Sequence, residues 1–237
     1  MLLLALTALL SPVQPGCSGD ATVRLDRAAV LAAEFDLRGA AAQLDTEGVL
    51  GCEHAQVAML YARGLIYAQD AFRQGAPPES LAPVQQAMAS LEAMAKGRPG
   101  SAAIARLVLQ AAAAAAQSER EEMRLYLESA IQMESLQHAA DQPGAPLISA
   151  AEAAGDLWLQ VHHYDDARRA YTEAADRTEF TARMLAGLAQ SAQRLGDLPA
   201  ACAASRRLLE WWGARQGQPA QIVEARAFVA GCEPARP

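Results

Sequence analysis

Aromatic residues are scarce in this chain, at 5% of 237 residues, and no alternating apolar–polar run of any length occurs. Neither feature supports a β-sheet. The apolar fraction is 52% and is dominated by alanine. Alanine enters a helix without losing side-chain entropy, and its small side chain lets helices approach closely. The composition therefore predicts helices packed on helices. Lysine is nearly absent: Lys96 stands alone, and the arginines form no dense basic stripe. With a formal charge of −7, this argues against a nucleic-acid partner, and the acidity reads as a solvated surface. Missing too are GxGxxG, GxxxxGK[ST], HExxH, GxSxG and EF-hand loops. The sequence thus offers no catalytic residues, no metal ligands and no cofactor.

No apolar run reaches the ~20 residues that a membrane-spanning helix needs. Met1–Leu10 reads MLLLALTALL and stops at Ser11-Pro12. Its length suits the apolar region of a secretory signal, although no Lys or Arg precedes it. Residues 1–21 are read as an export segment, with Gly19 and Ala21 at the small-residue positions of a cleavage site. The expected location is the periplasm or cell envelope. Cys17 follows Gly16 as in an acylated lipoprotein, but Gln14 and Pro15 depart from that pattern, so a lipid on Cys17 is the disfavoured reading. Membrane attachment would come only through such an N-terminal anchor. Four cysteines, Cys17, Cys52, Cys202 and Cys232, form an even set that implies disulfides in an exported chain. None are spaced as CxxC, which argues against a zinc ribbon or thioredoxin-type site.

Gly and Pro clusters divide the rest into segments of helix length. They fall at Gly75–Pro78, Gly97–Gly100, Gln142–Gly144, Gly196-Asp197 and Gly217–Pro219. Helices are predicted over 23–34, 37–47, 53–74, 79–97, 101–117, 119–138, 147–162, 164–177, 180–195, 198–213 and 219–231. The six alanines Ala111–Ala116 follow Ile104, Leu107 and Leu109 on a helical period and read as a tightly packed helix interior. Trp211-Trp212 places one ring in the core, against the last helix, because consecutive helical residues cannot both face inward.

Ile148–Arg215 carries an internal repeat. Ala154-Gly155, Trp158, His162, Tyr164, Ala167, Tyr171 and Ala174 recur, at one constant offset, as Leu188-Ala189, Ala192, Gly196, Leu198, Ala201, Ser205 and Leu208. The pattern resembles the tetratricopeptide repeat, a helix–turn–helix unit of about 34 residues. The first unit has His162 where the turn usually has Gly, and the second has Ser205 where an aromatic is usual. Upstream, Phe35, Leu37, Ala40 and Leu44 look like a degenerate copy. The resemblance implies an all-α, right-handed solenoid of antiparallel helix pairs, with 22–146 as degenerate repeats, 147–215 as two recognisable units and 216–237 as a capping helix and tail. One helix pair cannot bury its apolar face alone, so such units stack and need caps. In that layout Cys202 and Cys232 fall at one end of neighbouring helices, and Cys17 and Cys52 precede helices that run roughly parallel. Cys202–Cys232 and Cys17–Cys52 are the expected bonds.

The resemblance also implies a concave groove for a protein or peptide partner. Its positions are Ser149, Glu152, Asp156, Leu159 and Gln160, with Arg183, Ala186, Gln190, Gln193 and Arg194 from the second unit. Non-enzymatic binding in the envelope is the expected function. Two others stay open: an exported enzyme or small-ligand binder using an interhelical pocket, and a cytosolic repeat adaptor. The adjacent His162-His163 pair points about 100° apart on a helix, which argues against a metal site. Cys52-Glu53-His54 reads as structural rather than as a Cys–His nucleophile, and Glu119, Glu121 and Glu122 as a solvated helix start.

Overall fold

The computed structural model describes residues 17–46, 49, 51–97, 100–140 and 147–232. The apolar segment Met1–Leu10 lies outside them. The described residues form eleven α-helices and no strand: α1 Gly19–Ala33, α2 Leu37–Leu44, α3 Glu53–Arg73, α4 Ala82–Ala95, α5 Ser101–Ala116, α6 Arg120–Ala139, α7 Ala150–Gln160, α8 Tyr164–Arg177, α9 Ala182–Arg194, α10 Leu198–Trp212 and α11 Ala220–Ala230. None is long and apolar enough to cross a membrane. A 3₁₀ turn, Pro78–Leu81, leads into α4 and replaces the helical start expected at residue 79. The expected helix 147–162 is shorter at both ends, because Ser149 caps α7 and His162 ends it.

Short polar side chains set the helix starts. Ser18, Asp36, Ser149, Thr181 and Asp197 each accept from a backbone N–H of the following first turn, the Asp36 bond being 2.7 Å. Each such cap is worth about 1 kcal/mol. The helix ends share a second device. Phe35, Gly75, Ser118, His162 and Gly196 all have positive φ, and in each case the next residue's N–H reaches back five residues to a carbonyl at 2.8–2.9 Å. This left-handed closure turns the chain sharply after α1, α3, α5, α7 and α9.

Helices pack mainly on their chain neighbours, and α3, α5, α7 and α9 also touch in succession. α5 is the most deeply buried. All six of Ala111–Ala116 are buried, as close packing of its neighbours demands. Tyr171 of α8 fills the space between α7 and α9. A Cβ on Gly155 would stand 2.5 Å from its ring and one on Gly187 2.2 Å, so only glycine fits at either position. Ser205, which holds the matching place in α10, is fully buried without a hydrogen-bond partner among the described residues.

Cys17–Cys52 and Cys202–Cys232 are bonded, which suits an oxidising compartment. The thiol of Cys17 is thereby committed to Cys52. Cys17 is tied to Cys52, and Ala21 is fully buried in α1. Trp212 is 4% exposed and packs beside Ile222 of the last helix, as expected. The cluster around Trp212 also takes in Phe35 from the α1–α2 turn.

Candidate functional site

A cavity of about 610 Å³ lies between α2 and α3 on one side and α7 and α9 on the other. Seven of the ten expected groove residues line it: Asp156, Leu159, Gln160, Arg183, Ala186, Gln190 and Arg194. The helical period accounts for this, since 156 with 159-160 and 183 with 186, 190 and 194 each follow one helix face. Ser149 and Glu152 instead line a separate cavity of about 350 Å³ with Glu134 and Thr181. Gln193 is exposed and lines neither.

Charges on the cavity floor are neutralised from within. Arg183 pairs with Asp156 and lies 3.7 Å from Glu152. Tyr171 Oη donates to the other Asp156 oxygen at 2.7 Å, and Thr181 Oγ1 donates to Glu152 at 3.0 Å. The network ties α7, α8 and α9 together. Glu152 is 3% exposed, and burial pushes its carboxyl from 4.5 up to about 7, against the opposing pull of Arg183. Burial also disfavours charge on Arg183, but the Asp156 carboxylate first and Glu152 second outweigh it and raise its pKa. Burial and the Asp156 carboxylate likewise hold the Tyr171 proton well above its usual range. Asp156, Glu152 and Arg183 were expected as partner-facing charges. The structure buries Glu152 beside Thr181, and it pairs Arg183, which still lines the cavity, with Asp156, so the charges of that pair are already satisfied from within the protein.

The walls differ from the floor. Gln69 of α3, Gln160 of α7, Gln190 of α9 and Gln221 of α11 all line the cavity, and none of the four carboxamides is hydrogen-bonded to another described residue. Arg38 and Arg73 on the opposite wall share Asp70, at 2.7 and 3.2 Å. Arg194 has no carboxylate partner among the described residues and lies 6.0 Å from the Tyr164 ring. Sequence reading missed Phe35, Arg38, Gln69, Arg73 and Gln221, since only the two units related by the constant offset were projected onto a groove. The degenerate copy at Phe35–Leu44 was the available signal.

Of the remaining candidates, His162 alone lines the large cavity. Cys52 is disulfide-bonded, so it presents no thiolate. Burial lowers the pKa of neighbouring His54, partly offset by Glu53. His162 occupies the left-handed turn position, and His163 precedes α8 with Nδ1 3.2 Å from Asp166. No group of three or more His, Cys, Asp or Glu is placed to hold a metal among the described residues. Glu121 pairs with Arg124, which also reaches Glu128, on the open face of α6. Compared with protein-family models, with curated proteins and with solved structures, the chain matches none.

Proposed function

We propose that the chain is a non-enzymatic, tetratricopeptide-like scaffold of the cell envelope that binds an extended protein or peptide segment in the large cavity. The architecture this implies is a right-handed solenoid of helix pairs, with α11 as its cap. It is supported by the left-handed closure that recurs after the first helix of each successive pair and by the succession of α3, α5, α7 and α9. The two disulfides favour an exported protein over a cytosolic adaptor. The observation that carries the binding reading is the convergence of four carboxamides from four helices, with no partner of their own among the described residues. A carboxamide both donates and accepts, as the main chain of an extended segment requires. Recovery of a partner from envelope extracts tests it. Gln190→Glu with Arg194→Glu should abolish recovery while leaving helicity intact, and undiminished recovery would reject the site.

A second reading, a small polar ligand held in the cavity, draws on one observation. The α1–α2 turn reaches the C-terminal helices and bounds the space on one side. A thermal shift on adding a small-molecule fraction of the same extract, absent in the Gln190 variant, would favour it.

A further inference from the structure

We propose that the turn Glu34–Asp36 is a releasable clasp that controls side-on access to the cavity; this regulation rests on the binding role assigned above. The Phe35 ring enters the cluster of Ala182, Leu208, Trp212 and Ile222, with 6.3 Å between the ring centroids of Phe35 and Trp212. Beside it, Arg215 Nε donates to Glu34 Oε1 at 2.9 Å. The guanidinium is held for that role. It also donates to the carbonyls of Trp211 and Trp212, the latter at 3.2 Å, and lies 4.1 Å over the Trp211 ring. Glu34 and Arg215 are 181 residues apart. Their contact joins the first helix pair to the last and turns an open trough into a ring. Phe35 and Arg38 line the cavity from one side of the junction, and Gln221 from the other.

Two features make the junction releasable. First, each arm is secured without it. Cys17–Cys52 holds the start of α1 to the start of α3, and Cys202–Cys232 holds the end of α11 to α10. Second, the junction is slight. No helix of the first pair packs extensively along α10 or α11. It consists of one half-buried aromatic and an ion pair whose side chains are 40% and 25% exposed. Such a pair is weak and screened by salt. A closed ring admits a partner only by a chain end, whereas an opened one admits the middle of a chain.

The test needs no ligand. All four cysteines are disulfide-bonded, so Gln190→Cys adds a single reactive thiol on the cavity wall. Its alkylation by N-ethylmaleimide and by a bulky polyethylene-glycol maleimide is timed in four backgrounds: wild type, Phe35→Ala, Glu34→Arg and Glu121→Arg, a charge reversal on the open face of α6. The small reagent should react equally in all. The bulky one should react roughly fivefold faster in Phe35→Ala and Glu34→Arg, as expected for losing one aromatic or ionic contact, and at the wild-type rate in Glu121→Arg. Equal bulky-reagent rates in all four, or Glu121→Arg as fast as Glu34→Arg, would overturn the clasp. Should Phe35→Ala not fold, Glu34→Arg and Glu121→Arg decide alone. Partner recovery through Gln190 and Arg194 is measured separately, so either idea can fail without the other.

Discussion

Tyr171 shows how single residues set the packing of the site. Its ring is fully buried between Gly155 and Gly187, and its hydroxyl anchors Asp156. Gly187→Ala should therefore displace the ring, break that hydrogen bond and cost about 2 kcal/mol or more, read from urea unfolding. Glu152 gives a pH-dependent counterpart. Its carboxyl holds a proton up to about 7 in the native state, against 4.5 ordinarily. The native state thus binds this proton where the unfolded chain has released it. The site's contribution is complete below the ordinary value and is lost as pH rises through about 7. Glu152→Gln, which cannot ionise, should be more stable than wild type at pH 8 by on the order of 1–3 kcal/mol, an advantage that shrinks on acidification toward pH 5. An advantage constant with pH would show that Glu152 is not the titrating group.

At the scale of the element, the turns rather than the helices carry the repeat. His162 and Gly196 hold equivalent places in the two units and share one left-handed conformation, at φ +64° and +76°. A side chain at such a position costs roughly 1 kcal/mol. Ser118, exposed at φ +64°, is the clean site to test. Ser118→Gly should stabilise by up to about 1 kcal/mol, and Gly196→Ala should destabilise by a similar amount, both measured by thermal unfolding. The helices themselves were legible in the sequence, because Gly and Pro clusters and capping residues mark their ends. Most boundaries fall close to those expected. The shared closure at Phe35, Gly75 and Ser118 was not legible, since three different side chains occupy one backbone conformation and their spacing departs from the repeat length. Element α11 buries only Ile222 and Ala225, and Cys202–Cys232 ties it down. Removing that bond with Cys202→Ser/Cys232→Ser should cost about 3 kcal/mol by loop entropy. Hydrogen exchange should then speed up across 220–230 while α7 to α9 stay protected.

Across the whole molecule, contacts far apart in sequence decide what the site is. Both disulfides were foreseeable, because the cysteines flank helix ends that a helix-pair layout brings together. The face of α7 and α9 that lines the cavity was foreseeable as well, from the helical period. The opposite wall was not, because Arg38, Gln69 and Arg73 enter through the return of α2 along α3, fixed by Arg38–Asp70 and Arg63–Asp45. Nor was the burial of Glu152, since the offset assigns a residue to a helix face but says nothing of how closely the next helix approaches. On the binding role proposed above, recognition belongs to the carboxamides and Arg194, while the Arg183–Asp156 pair ties α7 to α9. The most direct test places a photo-crosslinking benzophenone amino acid at Gln190, inside the cavity, or at Leu136, 67% exposed on α6. With envelope extract, a partner should crosslink through position 190 and not through 136, and its crosslinked residues should come from one continuous segment. Crosslinking through 136 with none through 190 would contradict the account.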